Sequence, residues 1–118
     1  MSKLADYIEK SISDPKAPAQ VRLSLFRRVT KKRKEELVGA CALGHALLGT
    51  GFYPKRGASV SLDYAMASLK EHGCKKAEME LVMKWNDKYP DPKPLRDIVD
   101  ELRKREMLAQ KRKKARRD

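Results

Sequence analysis

The chain lacks most of what catalytic, secreted and membrane-embedded proteins need. No apolar run approaches the ~18 residues that cross a bilayer, so no membrane partner is expected. Aromatic residues make up only 6% of the 118 positions, so a core has to come from Leu, Val, Ile, Met and Ala. β-Branched residues are sparse, and no stretch alternates apolar and polar over strand length. An all-α fold is the expectation. There are two cysteines and two histidines. Met1-Ser2-Lys3-Leu4 runs straight into an amphipathic pattern, with no leader-like apolar segment. Free thiols in a reducing cytoplasm are therefore predicted. Phosphate-binding loops, dinucleotide-binding turns and zinc-protease motifs are missing.

Positive charge is abundant. Lys and Arg number 28 against 16 Asp and Glu, a net charge of +12. Residues 21–40 carry seven basic and two acidic groups (+5), and residues 101–118 carry nine and three (+6), leaving +1 for the rest. Two basic blocks on a near-neutral body suggest a polyanionic partner, or else solvated faces that keep a small protein in solution.

The stretch from Thr30 to Gly51 reads as a central helix. Thr30 is a possible cap, Gly49 and Gly51 can end it, and its small apolar residues would let neighbours approach closely. Its first turn, Lys31-Lys32-Arg33-Lys34, opposes the helix dipole, which local stability does not favour and which adds weight to a binding role. Around this segment, Leu4, Ile8 and Ile12 predict a first helix over 3–13, stopped by Asp14-Pro15. Val21, Leu25 and Val29 predict a second from Pro18 or Ala19 to about Val29. Ser61 and Gly73 bracket a helix over 62–72, and another follows over 75–86. Pro94 opens the last, with Leu95, Ile98, Val99 and Leu102 inward. The expected architecture is a single helical domain over 1–110, a compact bundle of about five helices with Leu37–Leu48 central. A basic tail over 111–118, frayed or disordered without a polyanion, follows it.

Four constellations carry possible chemistry. Residues 62–86 fit parts of a helix-turn-helix, but Ser68, Leu69, Glu78 and Glu80 fit it badly, and any helical pair with a glycine turn looks similar. Cys41, His45, His72 and Cys74 offer a zinc-type ligand set at a spacing no common finger uses, so ordinary buried residues explain them equally. Cys41 with His45 is the only nucleophile–base pair, without exposure or an oxyanion donor. No enzyme, metal or cofactor is expected. The fourth constellation is the basic residues. Arg27, Arg28, Lys31, Lys32, Arg33, Lys34, Lys111, Arg112, Lys113, Lys114, Arg116 and Arg117 suit salt-sensitive phosphate contacts rather than base reading. Lys55 and Arg56, beside Phe52 and Tyr53, would extend that surface, with the aromatics either stacking on a base or folding back on the core.

Cys41-Ala42-Leu43-Gly44 and Trp85-Asn86-Asp87 resemble elements of small uncharacterised helical domains of bacteria and phages, over roughly Leu37 to Leu102. The resemblance implies a compact helical fold in a bacterial or phage setting and brings no activity or site residues. The sequence thus predicts a non-enzymatic, cytoplasmic, nucleic-acid-binding accessory or regulatory protein, with both basic blocks on one side. DNA and RNA are not distinguished, and oligomeric state is open. The alternative is a small interaction module that binds an acidic face of a larger protein. An exposed apolar cluster around Phe52, Tyr53 or Trp85 would favour that alternative.

Overall fold

Ser2 opens the first helix, α1 (Lys3–Ile12), by accepting a hydrogen bond from the Ala5 amide at 3.2 Å. Four-residue spacing buries Leu4 and Ile8 completely. The computed structural model describes residues 2–22, 25–31, 34–54, 60–88 and 90–117, without the side chains of 27–31, 34–36 and 114–117. Within these residues the chain continues as β1 (Ala19–Gln20), β2 (Phe26–Lys31), β3 (Lys34–Ala40), α2 (Ala42–Gly49), α3 (Leu62–Glu71), α4 (Lys76–Asn86) and α5 (Leu95–Arg117). Five helices form the bundle, and a small three-stranded sheet of order β1-β3-β2 is attached to it.

The sheet corrects two expected helices. The segment expected to be helical from Pro18 to Val29 forms β1 and β2 instead. The helix expected from Thr30 begins only at Ala42, capped by Cys41 rather than Thr30. The four-residue spacing of Val21, Leu25 and Val29 is a coincidence of period. Val29-Thr30 favours extended backbone, and a helix with four cations in its first turn would oppose its own dipole. An antiparallel ladder avoids that conflict. It pairs Phe26 with Ala40, Thr30 with Glu35 and Lys31 with Lys34, with a bulge between Arg27 and Arg28.

α2 is buried as expected: Ala42, Leu43, Gly44, His45, Ala46, Leu47 and Gly49 are all interior. Its glycines are required by backbone approach. A Cβ on Gly49 would lie 1.9 Å from the Tyr7 carbonyl oxygen, and one on Gly44 would lie 2.0 Å from that of Leu25. α1 and the entry to β2 can therefore lie directly on α2. Gly51 then leaves the helix with a φ of 96°. The core closes with Leu69, Met79, Val82, Ile98, Val99 and Leu102. At ~1.5–3 kcal/mol for each large apolar side chain fully buried, this cluster is the main stabilising term.

A polar knot joins sheet to bundle. Asn86, fully buried at the end of α4, accepts hydrogen bonds at Oδ1 from the Ala42 amide (3.0 Å) and from Gln20 Nε2 (2.9 Å). Its Nδ2 donates to the Val21 carbonyl (3.0 Å) and to Asp87 Oδ1 (3.0 Å). Gln20 Nε2 also donates to the Lys93 carbonyl, and its Oε1 accepts from the Leu95 amide at the start of α5. Asn86 thus satisfies an orphan amide of α2, and Gln20 one of α5. Asn86 ends α4 and bonds main chain on elements far from it in sequence.

Candidate nucleic-acid interface

The first basic block lies on the β2–β3 hairpin. Arg27, Arg28 and Lys31 belong to β2, and Lys34 opens β3. Lys32 and Arg33, between the paired Lys31 and Lys34, lie outside the described residues, as do Lys55 and Arg56. The ladder therefore ends on a Lys–Lys pair with two further cations next in sequence. Like charges at opposed positions destabilise a ladder, so hairpin stability does not account for this arrangement. Six residue steps from Ala40 to Lys34 carry the strand roughly 20 Å from its paired base.

The second block lies on the last turns of α5. The helix continues through Arg117, across the segment read as a tail. Its buried face ends at Leu102, and Lys111, Arg112 and Lys113 are exposed without an ion pair among the described residues. These turns have no packed apolar face, so fraying is their expected behaviour. Lys114, Arg116 and Arg117 lie on the same helical backbone.

α5 starts against β1, where the Leu95 amide meets Gln20. It then runs antiparallel to α1: Arg96 pairs with Glu9, and Arg103 with Glu9 and Asp6. Lys111 lies roughly 24 Å along the helix from Leu95, past the N-terminal end of α1. The base of the hairpin, beside β1, and the basic end of α5 therefore lie at opposite ends of the α1–α5 pair.

Of the aromatic pair, Phe52 folds back and Tyr53 does not. Phe52 folds back and stacks on Phe26 of β2 at 6.1 Å between ring centroids, and Tyr64 of α3 approaches its other side at 6.2 Å. Tyr53 is 65% exposed, and Tyr64 and Leu62 are 54% and 45% exposed. A cleft of about 360 Å³ opens beside this strip, walled by Ser11, Pro18, Leu37, Leu48, Phe52 and Tyr53, with Lys10, Asp14 and Lys16 at its rim. Sequence reasoning missed the cleft and its two lysines. Lys10 sits on the last turn of α1 and Lys16 in the α1–β1 connection, and the packing of α1 on α2 brings them beside Tyr53. Trp85 is an edge packer, with Lys93 Nζ 4.9 Å above its ring.

The remaining constellations have structural partners. His45 Nδ1 lies 2.9 Å from Ser11 Oγ in the core, and Nε2 finds no partner among the described residues. Burial lowers the imidazole pKa to about 4, with a smaller opposing effect from the main chain of Ala19 and Pro18. Burial likewise raises the Cys41 thiol above its usual value and pushes Cys74 up to about 11. Neither thiol is therefore poised as a thiolate. Among the described residues no three His, Cys, Asp or Glu side chains converge as metal ligands. α3 and α4 form the expected helical pair, but Glu78 of α4 accepts a hydrogen bond from Ser2, and Lys76 pairs with Glu80. No described helix is long and apolar enough to cross a membrane.

Comparison of the chain with protein-family models, curated protein sequences and solved structures returns no match.

Proposed function

We propose that this chain is a non-enzymatic nucleic-acid-binding accessory or regulatory protein, acting in the cytoplasm of a bacterium or in a phage-infected one. It engages the phosphate backbone with its basic hairpin and the basic end of α5. The observation that carries this reading is the Lys31–Lys34 run at the end of a two-stranded antiparallel ladder. Such a ribbon is narrow enough to enter a DNA groove. Four like charges in sequence repel one another, and a bound phosphate backbone offsets that repulsion.

Fluorescence anisotropy tests the reading, using labelled duplex DNA, single-stranded DNA and structured RNA over a range of salt concentrations. The full chain is compared with a truncation after Gln110 and with a variant carrying Gln at positions 31–34. Submicromolar binding that weakens steeply with salt is expected. Each lost phosphate contact should flatten the log–log salt dependence of duplex binding by about 0.9. Absence of binding at low salt by a folded chain would overturn the proposal.

A second reading, a module that docks on an acidic protein face, is favoured by one observation. Tyr53, Tyr64 and Leu62 are exposed around Phe52, where a hot spot would lie. Salt-insensitive capture of a protein partner, lost in Tyr64→Ala, would support it.

A further inference from the structure

We infer that the cleft beside Tyr53 receives one unpaired base of a single-stranded nucleic acid, so that the protein prefers single strands to duplex. The inference rests on the nucleic-acid reading above and deepens it.

The cleft has the size, walls and rim for such an occupant. Its volume of about 360 Å³ falls near the lower end of the ~300–1,000 Å³ typical of ligand sites, the scale of one nucleotide rather than a helix or an extended peptide. Leu37, Leu48, Pro18 and the half-buried Phe52 make its walls apolar. Tyr53 stands at 65% exposure with its phenol ring unburied. Exposing that ring in a structure that buries its neighbour Phe52 leaves a platform on which a base can stack.

Two helices, α1 and α2, end at the cleft. Helix C-termini carry partial negative charge. They disfavour a phosphate deep in the cleft and favour the amino groups of a base edge. Lys10 and Lys16 are exposed at the rim, where a phosphate flanking an inserted base would sit. Base inside and phosphate outside is the polarity of single-strand recognition. In a duplex the bases are stacked and paired, so none reaches the cleft without extrusion.

The position also fits. Leu37 of the cleft wall lies on β3, three residues and roughly 10 Å along the strand from Lys34. Phe26, Phe52 and Tyr64 form a contiguous aromatic strip on the same side of the hairpin base. Basic groove and stacking platform together are the arrangement that binds single strands with little sequence preference.

The test uses the full chain with a labelled single strand of about a dozen nucleotides, its duplex, and the same strand with abasic sites. Each is titrated at one salt concentration against wild type, Tyr53→Ala, Tyr53→Phe and Lys16→Gln, with circular dichroism confirming that each variant folds. The expected results are a single-strand affinity about tenfold above duplex, a comparable loss in Tyr53→Ala or on abasic substitution, retention in Tyr53→Phe, and a weaker loss in Lys16→Gln. Duplex affinity should be equal in wild type and Tyr53→Ala. Binding that is equal for strand and duplex, or that Tyr53→Ala leaves unchanged on both, would overturn this inference while leaving the phosphate-binding proposal standing. Absence of binding to every probe would overturn both.

Discussion

Replacing Asn86 tests whether one buried amide fastens the sheet to the bundle. Asn86→Ala deletes four hydrogen bonds and orphans the buried Ala42 amide and the partly buried Val21 carbonyl. Each orphan costs about 1–3 kcal/mol. Gln20 keeps its bonds to Lys93 and Leu95, which limits the damage. A loss of about 2–4 kcal/mol is expected, a large part of a total near 0.05–0.15 kcal/mol per residue. Urea denaturation should show it as a lowered midpoint at unchanged slope. Asn86→Asp separates hydrogen bonding from packing. The new carboxyl keeps an acceptor for Ala42 and Gln20, but turns its second oxygen, where Nδ2 donates, toward two acceptors, the Val21 carbonyl and Asp87. Its charged form is penalised in the fold, so its folded pKa lies above the unfolded value of about 3.9. The sign follows. This variant should be nearest to wild type below about pH 4, where the carboxyl is protonated in both states, and should lose ground as pH rises through its raised folded pKa. Two variants within about 0.5 kcal/mol of wild type, or an Asp variant whose deficit is flat with pH, would refute the reasoning.

The two glycines at the end of α2 and just beyond it should behave differently. Gly49→Ala, which drives a methyl into the Tyr7 carbonyl, should destabilise by about 2–3 kcal/mol, whereas Gly51→Ala meets open space and loses only about 1–2 kcal/mol to its positive φ, as thermal melts would show. His45, neutral in the fold with a pKa of about 4, takes up its proton mainly on unfolding; stability should be complete above pH 6.5 and fall by about 3 kcal/mol by pH 4, and His45→Gln should flatten that limb of a pH series. Glu9, held below its ordinary 4.5 by Arg103 and then Arg96, contributes above that pH and loses its contribution on further acidification; carboxyl NMR should show a lowered Glu9 that moves part of the way back in Arg103→Gln, where Arg96 still pairs with it. Added salt should slightly raise thermal stability, by screening the repulsion of a +12 chain, while it weakens nucleic-acid binding. A thermal stability that falls with salt would mean that the basic runs are paired within the protein.

Helices whose signals are local were legible in the sequence. Ser2 and Ser61 cap α1 and α3, Gly73 ends the turn after α3, and the apolar face of α5 runs from Leu95 to Leu102, all close to the expected bounds. Segment 19–40 was not legible, because its structure depends on distant partners. Ala19 pairs with Gly39 twenty positions on, in parallel. Nothing within β1 or β2 announces that. One sign was available: a four-cation first turn is a poor helix start, and two intervening residues are a common hairpin connection. For the candidate site, the basic runs could be read from composition, whereas the cleft could not. Ser11, Lys16, Leu48 and Tyr53 meet only because α1 and α2 pack at Gly49. Likewise, the neighbour of His45 is Ser11, 34 positions away.

The cations divide into two kinds, and the division bears on function. Those that hold the fold act singly, each against a particular partner. Arg103 bridges Asp6 and Glu9, Arg96 joins the same Glu9, Arg22 reaches the Pro90 carbonyl, and Lys93 lies over Trp85. Where several act, they pin α5 to α1 along its first two turns and stop there. Much of the remaining charge comes in runs, at 31–34 and 111–117, in the β2–β3 segment and at the end of α5. A run of cations is a poor way to stabilise a protein, since each member repels the next and a single carboxylate neutralises only one. It suits a partner that is itself a run of anions, spaced by a few ångströms along a chain. The knot of Asn86 and Gln20 gives that charge a fixed mounting. Without it the hairpin would rest on the packing of Leu25 and Phe26 and on the short β1 pairing, and more of the ordering cost would fall on binding.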